Sequence, residues 1–311
     1  MLWTDSFLDY LKYERNYSDK TIDAYGGDLQ KFDGFVKEEY KDGLHPKDVS
    51  TELIRDWMMS MMEQGASATS VNRRLSSLRS FYKFLLKRGE VVKDPMQKIS
   101  GPKKKKPLPV FYKESEMDRL LDELDFGDDF KGCRDHMIIQ MFYETGMRLS
   151  ELVGLNDVDV DLKAGVVKVT GKRNKQRLIP FGKELAKSIE EYVCKRNESV
   201  PVQSEAFFVK EKGERLRPDL VRSLVKKYLS KVVTVKKRSP HVLRHTFATT
   251  MLNHDAELGA IKELLGHQSL ATTEVYTHTT FEELKKVYNQ AHPRAEKNGG
   301  NYGNKNSSDS L

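Results

Sequence analysis

The stretch Ser239-Pro240-His241-Val242-Leu243-Arg244-His245-Thr246-Phe247-Ala248-Thr249-Thr250 decides how the chain is read. It continues through Leu264-Leu265-Gly266-His267 and ends on Thr272-Thr273-Glu274-Val275-Tyr276-Thr277-His278. Ser239 before Pro240 marks a helix start, with serine as N-cap and proline at the first helical position, where its missing N–H is no loss. Leu243, Phe247 and Met251 recur every four residues, so one face of that helix packs inward. His241 and Arg244, three apart, are expected to project from a shared face near the N-terminus, where the helix dipole favours an anion. A second helix carrying Ile261, Leu264 and Leu265 is expected to end at Gly266, a natural C-cap, and to hand the chain to His267. Tyr276 follows nine residues later. His, Arg, His and Tyr in this order point to chemistry on a phosphate.

Upstream, a helix carrying Met137, Ile138, Met141 and Phe142 breaks at Thr145-Gly146. That break places Arg148 just after a turn and before a helix of Leu149, Leu152 and Leu155. The period then changes: Val166 to Thr170 and Gln176 to Pro180 read as two strands. They are joined by Gly171-Lys172-Arg173-Asn174-Lys175, a hairpin whose tip is dense in cations. Helices resume over Glu184 to Val193 and Asp219 to Val233, and another opens at Lys113-Glu114-Ser115-Glu116.

Residues 1–100 read as helices throughout, including Thr4 to Lys12 and Ser18 to Lys37, with Ser18 and Thr21 as cap residues. The clearest runs from Ser70 to Arg88, with Val71, Leu75, Leu78, Tyr82 and Leu85 as its apolar stripe and Arg73, Lys83 and Lys87 opposite. A solvated surface and a face laid on DNA phosphates both fit those charges. Residues 101–110 hold three prolines and four consecutive lysines, which deny helix and suggest an extended cationic linker between domains. The second domain is expected over 111–296, and the polar, Gly- and Asn-rich residues 297–311 are expected to be disordered.

Lysine and arginine outnumber the acids by 53 to 46, for a net charge of +7, which is compatible with nucleic acid without demanding it. Cys133 and Cys194 stand alone, as free thiols of a reducing compartment do. No signal-peptide pattern opens the chain and no apolar run reaches membrane-spanning length, so a cytoplasmic location is expected and no membrane partner. A zinc site is weighed on His241 and His245, four apart, with His254 and His267. Zinc hydrolases place a glutamate inside such a pair, whereas Leu243 and Arg244 lie here, and a cation within a cation site is unfavourable. No metal is expected.

These motifs together resemble the tyrosine recombinase family, and within it the Xer-type members. The matching residues are Thr145-Gly146-Met147-Arg148-Leu149-Ser150-Glu151-Leu152, Gly171-Lys172 with Asn174-Lys175, His241 to Ala248, Leu264 to His267, and Tyr276-Thr277-His278. Asn72-Arg73-Arg74-Leu75-Ser76-Ser77-Leu78-Arg79-Ser80-Phe81-Tyr82 and His292-Pro293-Arg294-Ala295 extend the resemblance over roughly residues 5–295. It implies a two-domain DNA clamp, mainly α with a small β-sheet. A helical SAM-like core-binding domain would meet DNA through Arg73, Arg74, Arg79 and Lys83, ahead of the catalytic domain.

The resemblance also assigns roles. Tyr276 would attack a DNA phosphodiester and form a 3′-phosphotyrosine. Arg148 and Arg244 would clamp the non-bridging oxygens, a task suited to a planar fork that never loses its charge. Lys172 would protonate the leaving 5′-oxygen. Arg173 stands where the family commonly has glycine, leaving Arg173 and Lys175 as rivals for that role. His241 would accept the tyrosine proton or bond the phosphate, His267 would donate to it, and Glu151 would orient Arg148. Storage of the bond energy on tyrosine makes ATP and cofactors unnecessary, and no Walker-type glycine loop appears.

The implied partner is a double-stranded recombination site, synapsed by four protomers of this chain or of it with a paralogue, passing through a Holliday junction and resolving chromosome dimers. Phe281, Leu284 and Val287 would either dock on a neighbouring protomer or pack within their own domain. An integrase or transposase of a mobile element, a type IB-like topoisomerase and a purely DNA-binding relative are the alternatives.

Overall fold

The computed structural model describes residues 2–104, 109–171, 174–201, 203–266 and 281–295, and the chain divides into two compact units, 1–107 and 108–311. In the first unit, α1 (Leu2–Asp9) runs on through a wider turn over Tyr10–Glu14. It is followed by α2 (Asp19–Glu39), α3 (Thr51–Glu63) and α4 (Ala68–Lys87). Ser18 precedes α2, but its hydroxyl meets Thr21 Oγ1 at 2.9 Å and caps no amide. The cap of α4 is Ser67, whose hydroxyl accepts from the Ser70 amide at 3.2 Å, so the helix begins before the apolar period does.

The stripe expected along α4, Val71, Leu75, Leu78, Tyr82 and Leu85, is wholly buried against Phe7, Leu29, Phe32, Ile54 and Trp57. Each such side chain contributes about 1.5–3 kcal/mol relative to exposure. Among the described residues one charged group lies inside this unit: Asp28 accepts from both terminal nitrogens of Arg73, at 2.5 and 2.7 Å, and from the Ser77 hydroxyl at 2.8 Å.

The second unit holds α5 (Glu114–Asp118), which passes into a wider turn over Arg119–Glu123, then α6 (Phe130–Thr145) and α7 (Leu149–Gly154). A three-stranded antiparallel sheet follows, in the order β1 (Val160–Asp161), β2 (Val166–Thr170) and β3 (Gln176–Pro180). Helices α8 (Lys183–Ser199), α9 (Pro218–Val232), α10 (Pro240–Asn253), α11 (Leu258–Leu265) and α12 (Phe281–Ala291) complete it. The fold is mainly helical with a small sheet, as the sequence implied.

The β2–β3 hairpin has the expected ends, with Thr170 paired to Gln176 and Val166 to Pro180. Strand β1 was not anticipated, because two residues are too short to show a period. Helix α8 outruns its expected end at Val193, and Arg196, in its last turns, is buried and forks onto Asp157 at 2.7 and 2.9 Å.

The main core gathers Ile138, Phe142, Val167, Ile179, Leu185, Val225 and Leu243, with α6 buried on nearly every side. A second cluster joins α10, α11 and α12 through Phe247, Met251, Ile261, Leu264, Leu284 and Tyr288. Helix α12 therefore packs Leu284 and Tyr288 within its own unit, the second of the two readings of its apolar face. No described helix is long and apolar enough to cross a membrane. Residues 105–108 of the expected linker, residue 296 and the tail 297–311, expected to be disordered, lie outside the described residues.

Candidate active site

Gly146 starts the site. It ends α6 in the left-handed region at φ 59°, and a Cβ there would lie 2.5 Å from Phe247 Cδ1 and 2.9 Å from Leu265 Cδ2. Only glycine joins that conformation to that contact. The turn sets Arg148 as the extended residue before α7, and Glu151, one turn on, reaches back: Oε2 accepts from the Arg148 amide and Oε1 from its guanidinium, both at 2.7 Å. Glu151 therefore bonds both the amide and the guanidinium of Arg148.

The structure adds a cation that the motif reading passed over. Arg177 on β3 forks onto the same carboxylate, NH1 to Oε1 at 2.7 Å and NH2 to Oε2 at 2.9 Å. Four donors thus converge on Glu151, whose side chain has no exposed surface. Burial alone would raise its pKa, but the hydrogen bonds from Arg177 and Arg148 and the charge of Arg177 outweigh it and bring the carboxyl down to about 2. The signal for Arg177 was present in the sequence: it alternates with Ile179 on a strand, so it shares the inward face.

All three arginines then meet the end of α11. Arg177 Nε donates to Leu264 O at 2.7 Å, Arg244 NH2 to Leu265 O at 2.5 Å and Arg148 NH2 to Gly266 O at 2.9 Å. These are successive carbonyls at the negative end of a helix, left without intrahelical partners and suited to cations. Gly266 closes α11 at φ 63°, again left-handed.

Arg244 also donates to Gly146 O at 2.7 Å and is buried, with no carboxylate in salt-bridge range among the described residues. Burial, followed by repulsion from Arg148, lowers its pKa to about 10 against the pull of Glu151, so it stays charged at neutral pH. Arg148 keeps 32% of its side chain exposed. Three arginines against one glutamate leave a local charge of 3 − 1 = +2.

Other expected residues fall differently. His241 lies one turn before Arg244 in the opening turn of α10, but it is exposed whereas Arg244 is buried, so the shared face splits by depth. The Ser239 hydroxyl makes no capping bond. Gly171 donates to Lys175 O at 2.7 Å, closing the hairpin loop, and a Cβ on it would lie 3.4 Å from Glu151 Oε1. Lys172, its rival Arg173, His267 and Tyr276 lie outside the described residues. Lys175 is exposed. His254 meets Glu114 at 3.0 Å, and among the described residues no three His, Cys, Asp or Glu side chains gather as a metal would need.

Among the candidate DNA contacts on α4, Arg73 has both terminal nitrogens on Asp28, and Arg79 donates to Ile99 O at 3.1 Å. Arg74 has its Nε buried, whereas Lys83 is exposed. Arg73 keeps half of its side chain exposed while a buried carboxylate 45 residues away takes both of its terminal nitrogens.

Residues 111–283 match the model of the phage integrase family, and residues 4–89 match that family's N-terminal SAM-like domain. The tyrosine recombinase XerC of Chlorobaculum tepidum is 38% identical, over 94% of this chain and 95% of its own length. The chain belongs to the phage integrase family of tyrosine recombinases. The tyrosine recombinase XerD of Shewanella oneidensis, 37% identical over 93% of this chain and 96% of its own, adds a second Xer relative. A post-cleavage complex of the XerH site-specific recombinase with a palindromic difH substrate shares the fold with a TM-score of 0.69, at 23% identity over 92% of this chain and 84% of that one. The Tn1549 transposon integrase shares it at 0.68, with 21% identity over 91% of this chain and 98% of that one. This tyrosine recombinase is thus Xer-like, as the motifs implied.

Proposed function

We propose that this recombinase breaks and rejoins DNA at a specific site through a 3′-phosphotyrosine on Tyr276. The observation that carries the proposal is the pairing of Arg148 and Arg244 on adjacent carbonyls of one helix end, where three guanidiniums gather and the single carboxylate bonds only Arg148 and Arg177. Such a surplus of fixed cations suits a phosphodiester, and it suits better still the pentacoordinate transition state, whose equatorial oxygens carry more charge.

In this reading Tyr276 Oη bonds to phosphorus and its proton passes to His241. The bond to the 5′-oxygen breaks, and Lys172 supplies the proton that makes it a hydroxyl. Gly171 against Glu151 supports a hairpin loop that begins beside the arginines, and Gly266 against Arg148 supports His267 as a further phosphate donor. Attack by a 5′-hydroxyl of the other duplex reverses the step and reforms a phosphodiester. Four protomers, of this chain or with a paralogue, would exchange the strands pairwise through a Holliday junction. The XerC and XerD likeness over nearly the whole chain favours resolution of chromosome dimers in the cytoplasm. In the amino-terminal unit, Lys83 would take a phosphate.

The test is covalent trapping. The wild-type protein and Tyr276→Phe are incubated with a pool of nicked suicide substrates cut from genomic DNA and run on a denaturing gel. An adduct with wild type and none with the variant is expected. An adduct that survives the substitution would move the nucleophile elsewhere and overturn the assignment.

A further inference from the structure

We infer that Arg177 is a positioning residue of the cleavage step, holding Glu151 and the end of α11 so that Arg148 presents its exposed edge to the phosphate. The inference rests on the cleavage reading above and adds a residue to it.

Three contacts carry the inference. Arg177 occupies both oxygens of Glu151 from the β3 side, which leaves Arg148 a single side-chain bond to that carboxylate, through NH1. The second terminal nitrogen of Arg148 goes to Gly266 O. Of the five N–H donors of that guanidinium, two are used and 5 − 2 = 3 remain for a ligand. Without Arg177, Glu151 would be open to a two-pronged pairing with Arg148, the geometry that arginine and carboxylate prefer, and the exposed edge would turn inward.

Arg177 also sets where the chain leaves α11. Its Nε holds Leu264 O, and a Cβ on Gly266 would lie 3.2 Å from both its Cδ and its NH1. The side chain therefore lies directly against the residue that precedes His267. Finally, Arg177 stands two residues after Lys175, on the strand that returns from the cationic loop. One side chain thus ties hairpin, arginine–glutamate pair and helix end together. A buried ion pair that served stability alone would need only the Glu151 contacts.

The experiment compares Arg177→Met, which removes the charge at similar length, with Arg177→Lys, which keeps the charge and loses the fork. Each is made alone and with Glu151→Gln. Adduct formation at saturating suicide substrate is read against non-covalent affinity measured in the Tyr276→Phe background. Arg177→Met is expected to slow adduct formation on the order of 10²-fold while affinity changes by less than about threefold. Its rate should also acquire an acid limb at or above the ordinary glutamate pKa of 4.5, since Glu151 loses the partner that keeps it ionised. In the Glu151→Gln background the limb should vanish and Arg177→Met should cost clearly less than it does alone, the remainder being its hold on Leu264 O.

Arg177→Lys is expected to fall between wild type and Arg177→Met, and it decides the matter if circular dichroism shows Arg177→Met unfolded. Adduct rates within about threefold of wild type in both variants, or losses that simply add to that of Glu151→Gln, would overturn the inference and leave the nucleophile assignment standing. A wild-type protein that forms no Tyr276-dependent adduct would overturn the functional reading first and this inference with it.

Discussion

Replacing Glu151 by glutamine tests the electrostatics of the site without reference to its reaction. The carboxylate accepts from the Arg148 amide, Arg148 NH1, Arg177 NH1 and Arg177 NH2, filling the acceptor positions that its two oxygens offer. Its folded pKa is about 2 against an ordinary 4.5, which corresponds to about 3 kcal/mol of stability at neutral pH. Removing one partner of a buried pair costs about 3–5 kcal/mol, and the partial exposure of Arg148 favours the lower end. The second unit is therefore expected to lose about 3 kcal/mol at pH 7.

Because the folded pKa is depressed, the contribution of Glu151 is fully present above pH 4.5 and is lost as the pH falls toward 2. The gap between wild type and Glu151→Gln should hold steady from pH 8 to about 5.5 and narrow below about 4.5. Urea unfolding followed by far-ultraviolet circular dichroism measures it. Trp3 and Trp57, the chain's two tryptophans, both lie in the first unit, so their fluorescence is an internal control that should not move. A gap under about 1 kcal/mol, or one that persists unchanged to about pH 3, would refute the reasoning.

Gly146→Ala forces a left-handed residue into contact with Phe247 and Leu265. It should cost about 2–5 kcal/mol in the same unfolding assay, summing the conformational penalty and overpacking. Arg73→Met strands the buried Asp28 and should lower the stability of the first unit by about 3 kcal/mol, read by tryptophan fluorescence. Lys83→Ala should leave stability within about 0.5 kcal/mol and reduce the slope of log affinity for DNA against log salt by about one, read by fluorescence anisotropy. Glu144, fully buried with Gln140 at 2.8 Å, has its pKa pushed up to about 8 by desolvation, so its effect on stability is lost as the pH rises from 4.5 to about 8. Glu144→Gln should recover about 3 kcal/mol at pH 7, and parallel pH profiles of the two proteins between pH 5 and 8 would contradict it.

What the sequence determined by itself was local in origin. The α4 stripe, the break at Gly146, the ends of the β2–β3 hairpin and the αL cap at Gly266 follow from spacing and from glycine's freedom, which neighbours along the chain are enough to express. The Arg148–Glu151 bond was legible for the same reason, since three residues on a helix start are one turn. Tertiary structure alone decided which distant charges meet. Arg177 reaches Glu151 across 26 residues and Leu264 across 87, and Arg244 reaches Gly146 across 98, so no window of sequence contains both partners. Nothing near Arg73 along the chain announces its bond to Asp28, 45 residues away on another helix. A guanidinium carries the same charge on a surface and in a core. Only the fold decides whether its partner is a carboxylate, a run of carbonyls at a helix end or an incoming phosphate.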